Sequence, residues 1–194
     1  MYHIKKGNKV FSAGQLVEGL FFIYQGKVKI TYQRENSEQL IRLASNGEIV
    51  GHRGINKNMI YPINAIALED STLCFVPMES YLKLTYENKD FGYHMLMFFA
   101  DELQYSEQTT YELVRKNNTE KTAYALLKFL QAFGANKDGL MGYSPTVHDI
   151  SAMIYLNVDQ VKKALNKLKD HSIIKTDNNE ITILKAMQLE KVAV

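Results

Sequence analysis

The chain has 194 residues, of which 46% are hydrophobic and 23% charged, an ordinary globular composition able to bury a core in one large domain or two small ones. A net charge of +2 and a pI near 8.4 exclude a strongly basic chain, so any nucleic-acid role must come from locally placed charge. A single cysteine, Cys74, excludes a disulfide framework, a Cys-rich zinc site and a four-cysteine iron–sulfur site, and the lack of a signal-like or membrane-length apolar run predicts a soluble cytoplasmic protein with no membrane partner.

Seven of the 11 glycines lie in the first 54 residues: Gly7, Gly14, Gly19, Gly26, Gly47, Gly51 and Gly54. They alternate with short apolar runs, the rhythm of strands joined by tight turns. Leu20 to Tyr24 reads as a strand, Gln25-Gly26-Lys27 as a turn, and Val28, Ile30 and Tyr32 as the buried face of a strand whose Lys29 and Thr31 are wet. Leu40 to Ala44, Ile63 to Leu68 and Leu73 to Val76 read as further strands, with Cys74 expected to be a small buried residue. No helical pattern interrupts them, which predicts an antiparallel barrel or roll over residues 1–89 rather than a doubly wound sheet.

From Asp90 the period changes. Leu96, Phe99, Leu103, Ser106, Thr110 and Leu113 are spaced 3, 4, 3, 4, 3, the seam of a heptad helix over residues 90–117, roughly 40 Å long at 1.5 Å per residue. Small polar residues in the seam permit close helix approach, and the helix is expected to pair two copies of the chain. A break at Asn117-Asn118-Thr119 follows, with Thr119 as the expected cap of a new helix carrying Ala123, Leu126, Leu127 and Leu130. Gly134 to Gly142 is a polar loop. Residues 1–86 carry 10 basic and 7 acidic groups, residues 87–118 carry 3 and 6, and residues 119–194 carry 10 and 8, the last ten basic residues all being lysines.

The most specific pattern lies in residues 118–194. Thr146 with Asp149 reads as a capping box opening a helix whose apolar face is Ile150, Met153 and Ile154. Tyr155-Leu156-Asn157 makes a corner, and Asn157 with Gln160 opens a second helix. Val161, Leu165 and Leu168 anchor that helix inward, while its other face presents polar residues. Two such helices form a helix-turn-helix. Ile173-Ile174-Lys175 and Ile181-Thr182-Ile183 around Asp177-Asn178-Asn179-Glu180 form a hairpin, and a hairpin in that place is a wing. Lysines neutralise phosphates and release counterions, while Gln160, Asn166 and Lys163 have donors suited to purine edges. The candidate DNA contacts are Asp159, Gln160, Lys162, Lys163, Asn166 and Lys167 on the helix, with Lys175, Asn178 and Asn179 on the wing.

A roll, a long helix and a winged helix in this order resemble the Crp/Fnr family of bacterial transcription regulators. The resemblance rests on Lys6-Gly7 through Phe11, Gly14, Leu20 to Gly26, Val28 to Ile30, Gly47-Glu48-Ile49-Val50-Gly51, and Thr146 to Ile174. The sequence is expected to open directly at the roll, without the leading helix that many members have. The resemblance implies an α+β fold: an antiparallel β-roll or jelly-roll sensor domain resembling cyclic-nucleotide-binding domains, a long dimerisation helix and a winged helix-turn-helix. It implies a homodimeric, sequence-specific DNA-binding transcription regulator on a two-fold symmetric duplex site, with RNA polymerase as a further partner and an effector acting in the roll.

The family's effector pocket maps onto Gly47, Gly51, His52, Arg53, Tyr61 and Pro62, and here its chemistry changes. His52 follows Gly51 where the acid that binds the ribose hydroxyl stands, and Tyr61 and Pro62 stand where the phosphate-binding arginine and its hydroxyl neighbour stand. Tyrosine supplies no charge for a cyclic phosphodiester, and Arg53 reads as an ion-pair arginine, so cyclic AMP is not expected to bind in the usual manner. No cofactor or metal is identifiable: the iron–sulfur branch's cysteine cluster is absent, and His3, His52 and His94 show no haem-ligand pattern. The recognition helix departs too, with Val158, Asp159 and Lys163 at the positions of the family's Arg-Glu pair and later Arg, and Tyr155 at the corner glycine. The alternative function is a sensor or scaffold whose winged helix binds protein. Catalysis is not expected, since no phosphate loop, His-Glu-x-x-His or Gly-x-Ser-x-Gly occurs.

Overall fold

The computed structural model describes residues 1–34 and 37–194. They divide into two compact units, residues 1–33 with 44–114 and residues 34–43 with 115–194. The long helix belongs to the first unit as far as Val114.

Eight strands build the roll: β1 (Tyr2–Ile4), β2 (Lys9–Phe11), β3 (Gly19–Gln25), β4 (Val28–Arg34), β5 (Ser37–Ala44), β6 (Ile49–Val50), β7 (Asn64–Ala67) and β8 (Ser71–Pro77). They form two four-stranded sheets, ordered β1-β8-β3-β6 and β2-β7-β4-β5. The registers are antiparallel, for example Phe21↔Phe75 and Ile30↔Ala65. Leu20, Ile23, Val28, Val50 and Leu73 are fully buried between them, and each such side chain contributes roughly 1.5–3 kcal/mol relative to exposure.

Two expectations fail at the level of strand faces. Thr31 is fully buried and Tyr32 is 40% exposed, the reverse of the simple alternation. Thr31 stands opposite buried Asn64 at the end of the register with β7, and Tyr32 follows it. Cys74 is exposed rather than buried, because the period of two in β8 turns Leu73 inward and its neighbour out.

Helix α1 (Met78–Glu87) follows β8, and α2 (Lys89–Arg115) follows after Asn88, whose side chain accepts from the Phe91 N–H at 3.0 Å. The apolar strand pattern before α1 conceals it from a period-based reading. Helix α2 matches the expected long helix within two residues at either end.

The second unit is mostly helical: α3 (Asn118–Phe133), α4 (Val147–Ile154) and α5 (Val158–Asp170), then β9 (Ile174–Asp177) paired antiparallel with β10 (Glu180–Ile183), and α6 (Ala186–Ala193). The cap of α3 is Asn117, not Thr119: its side chain accepts from the N–H groups of Thr119 and Glu120, while Glu120 accepts from the Asn117 N–H. Leu126, Phe129, Ile150, Ile154, Leu168, Ile174 and Leu189 form one fully buried core that α3, α4, α5 and α6 share. Among the described residues, no helix is long and apolar enough to cross a membrane.

Candidate functional site

Residues 146–183 build the second unit's polar surface from local rules. Thr146 Oγ1 accepts from the Asp149 N–H at 3.1 Å, and Asp149 Oδ2 accepts from both the Thr146 N–H and hydroxyl, so α4 starts where the pattern predicts. Tyr143 donates to the same carboxylate at 3.2 Å, and burial with the Asp149 charge pushes its phenol well above the usual tyrosine range. Helix α4 ends at Tyr155, which adopts a left-handed conformation (φ 57°) that favours glycine. Its hydroxyl accepts from Gln39 Nε2, and burial raises its pKa while the Arg34 charge opposes that. Asn157 then caps α5 in a reciprocal box with Gln160.

The faces of α5 are sharply divided. Val161, Ala164, Leu165 and Leu168 are buried. At 100° per residue the opposite line consists of Asp159, Asn166, Lys163 and Asp170, with Lys162 and Lys169 on one flank and Lys167 on the other; all seven are exposed. Four lysines against two aspartates give this helix +2, with most of the positive charge beside the central line rather than on it. Such an arrangement puts hydrogen-bonding groups at the centre and phosphate-neutralising groups at the edges. Gln160 is half-buried, and its Oε1 is engaged by the Asn157 N–H at 3.0 Å.

The wing forms as expected. Asn178 (φ 47°) and Asn179 (φ 67°) supply the two positive-φ residues of a tight hairpin turn, and both are exposed, as is Lys175. The preceding loop supports the wing through Gly139 O, which accepts from the Ile183 N–H at 2.8 Å, and Ser144 Oγ, which accepts from the Ile181 N–H at 2.8 Å. A side chain at Gly139 would meet Ile183 O at 2.3 Å.

In the first unit, the expected effector residues are only partly gathered. Gly51 (φ 97°) caps a single 3-10 turn, His52–Gly54, which carries His52 and Arg53 beside Tyr61. Pro62 is exposed, and Gly47 is a turn glycine with open space around it. Tyr61 is buried, stacks on Phe11 with ring centroids 4.0 Å apart, and donates to Gly19 O at 2.7 Å. Its ring fills the space behind the turn so tightly that a Cβ on Gly54 would lie 2.9 Å from it. Burial raises the Tyr61 pKa, so it stays a neutral donor.

One member of this constellation lies far away in sequence. Glu102, midway along α2, receives Nε2 of His52 and a terminal nitrogen of Arg53 on one carboxylate oxygen, each at 3.2 Å. Its only sequence signal is its place in the 98, 99, 102 spacing with Phe98 and Phe99, both of which meet the His52 ring edge-on.

The α2 seam divides into two rows. Leu113 is buried and Phe99 and Ser106 are half-buried within the unit, whereas Leu96 (65%), Leu103 (62%) and Thr110 face outward. Tyr93, Ala100 and Val114 extend the outward row, leaving on the surface a heptad stripe that is apolar apart from Glu107 and Thr110.

Residues 2–88 match the family model for the cyclic nucleotide-binding domain. The fumarate and nitrate reduction regulatory protein of Vibrio cholerae is 26% identical over 198 aligned positions, covering 98% of this chain and 77% of that protein. Electron transport regulator A of Shewanella oneidensis is 25% identical, with the same coverage. Among solved structures, FixK2 from Bradyrhizobium japonicum superposes with a TM-score of 0.85 at 18% identity, covering 100% of this chain and 96% of that one. A transcriptional regulator of the CRP/FNR family from Thermus thermophilus superposes with a TM-score of 0.82 at 18% identity, covering 99% and 97%.

Proposed function

We propose that the chain is a DNA-binding transcription regulator of Crp/Fnr type, as its regulator relatives and structural neighbours support, and that it works as a homodimer on a two-fold symmetric duplex site. The exposed face of α5 supports this reading most directly: three hydrogen-bonding side chains, Asp159, Lys163 and Asn166, lie in line, bordered by Lys162, Lys167 and Lys169. Asp159 accepts from a cytosine amino group, Lys163 donates to a guanine edge and Asn166 pairs with adenine, while the flanking lysines meet phosphates. Gln160 contributes through its amide nitrogen, its oxygen being held in the cap. Lys175, Asn178 and Asn179 place the wing against the adjacent backbone.

In this reading residues 1–89 are the sensing roll, 90–117 the dimerisation helix and 118–194 the DNA-binding domain. The outward row of Leu96, Leu103 and Thr110 pairs with its copy, and a dimer presents two recognition helices to two half-sites. Any effector acts through the roll and not as cyclic AMP bound in the usual manner, because a packed, uncharged Tyr61 supplies no phosphate partner. The regulator acts in the cytoplasm and meets RNA polymerase at its promoters. Selection of bound sequences from random duplex DNA tests the reading: inverted repeats with half-sites about one helical turn apart are expected, and recovery of no shared motif overturns it.

A further inference from the structure

We propose that Glu102 is a built-in anion, taking the place of an effector's anionic group and holding the barrel turn against α2, so that the protein reaches its DNA-binding form without an anionic effector. This deepens the effector clause of the regulator reading and rests on it.

The turn His52–Gly54 places two nitrogen-bearing side chains side by side, His52 almost wholly buried and Arg53 partly so. Gly51 and Gly54 fix this geometry: the first needs its positive φ, and the second has no room for a side chain between Val17 and Tyr61. A partly buried guanidinium and a buried imidazole presented together favour an acceptor between them. Both direct a nitrogen to the same Glu102 oxygen, whose side chain is 15% exposed. His52 Nδ1 and Arg53 Nε are buried without a hydrogen-bond partner among the described residues, so Glu102 is central to the polar balance of the turn. Phe98 and Phe99 close over the imidazole edge-on, at 4.9 and 5.9 Å between ring centroids, and keep water from competing.

A carboxylate tethered to the same unit competes at the effective concentration of an intramolecular group, millimolar or more by order of magnitude. A free anion must displace it, and the bond it would make is already formed. Because Glu102 sits on α2, it is a positioning residue: it fixes the helix whose continuation enters the DNA-binding unit.

Removing the tether converts a built-in ligand into an added one. Glu102→Ala opens room for a small carboxylate, and acetate at on the order of tens of millimolar is expected to raise the melting temperature of this variant. Wild type should show no such gain over chloride at matched ionic strength. On duplex DNA recovered with the wild-type protein, Glu102→Ala should lose affinity about tenfold, within the span of typical site-to-site coupling, and acetate should restore part of it. Glu102→Gln keeps the shape without the charge; it should lose affinity similarly and gain nothing from acetate. Equal acetate responses in wild type and Glu102→Ala overturn the anion site, as does wild-type DNA affinity in a folded Glu102→Gln. A wild-type chain that binds no duplex defeats the regulator reading and the DNA arm with it, while the melting comparison still decides the anion site.

Discussion

Asn157 and Gln160 satisfy one another at the start of α5: Asn157 Oδ1 accepts from the Gln160 N–H at 2.9 Å, and Gln160 Oε1 accepts from the Asn157 N–H at 3.0 Å. This pair fixes where α5 begins, with Asn157 as its cap and Val158 as its first residue. Asn157→Ala is expected to cost about 1 kcal/mol in stability, whereas Asn157→Asp retains the cap and most of the stability. Urea denaturation of the two variants measures this, and equal midpoints would remove the pair from the account of the helix.

Lys163 and Lys167 differ in place, on the central line and on the flank of α5, so their loss should differ in kind. Lys167→Ala should weaken binding across all sequences and reduce the slope of log affinity against log salt by about 0.9, as loss of one phosphate contact does. Lys163→Ala should instead relax preference at one base pair, by about 1–3 kcal/mol of discrimination. Salt titrations on matched and mutated sites separate the two. Indifference to both changes and to salt is incompatible with α5 as the DNA-contacting element.

The legible parts were those set by short-range rules. The capping boxes at Thr146 and Asn157, the αα corner and the Asn178-Asn179 turn each need only a few neighbouring residues, and each stands where the pattern places it. Departures arise where distant segments decide the outcome. Thr31 is buried opposite Asn64 of β7, against the simple alternation, and Cys74 is exposed because the period of two in β8 turns it away from the side that buries Leu73. The Asn117 cap was misplaced by two residues because Asn117 and Thr119 are both competent caps, and the position of Glu120 selects the former. The helical spacing of Glu102 with Phe98 and Phe99 does not point to its partner: only folding brings this mid-helix glutamate to His52, fifty residues earlier.

Leu103 lies in the outward row of α2 with 62% of its surface exposed, and Leu96 one heptad before it with 65%. A charge there meets solvent in a monomer but is buried in a paired helix. Leu103→Asp is therefore expected to leave folding intact, shift sedimentation velocity to the monomer at micromolar concentration, and lower affinity for a two-half-site duplex far more than for one half-site. A variant that remains dimeric would place the interface elsewhere.

In the proposed reading, Tyr61 stands where a cyclic phosphodiester would need a cation. Saturating cyclic AMP is expected to leave the melting temperature unchanged, since stabilisation follows the logarithm of ligand over dissociation constant. Tyr61→Phe keeps the stack on Phe11 and loses the bond to Gly19 O, which costs about 1–3 kcal/mol by leaving a buried acceptor unpaired. A clear cyclic AMP shift in wild type would overturn the reading of this packed turn.

Tyr143 gives the second unit a specific weakness at high pH. Its phenol stacks on Phe129, donates to Asp149 and, through burial first and the Asp149 charge second, has its pKa raised above the ordinary 10.0. A raised acid pKa in the folded state means that the neutral form is the stabilised one. Its contribution is complete below pH 10 and is lost as the pH climbs above that value and the unfolded phenol ionises first. Tyr143→Phe keeps the ring but lacks both the bond and the ionisation. Near pH 8 the variant should be less stable than wild type by about 1.5–3 kcal/mol, the range for a hydrogen bond to a charged group. Near pH 11 that gap should narrow, because only wild type has a phenol at this position to ionise on unfolding. Paired urea titrations at the two pH values measure the difference. A gap that stays constant would show that the Tyr143 hydroxyl is not held neutral against Asp149.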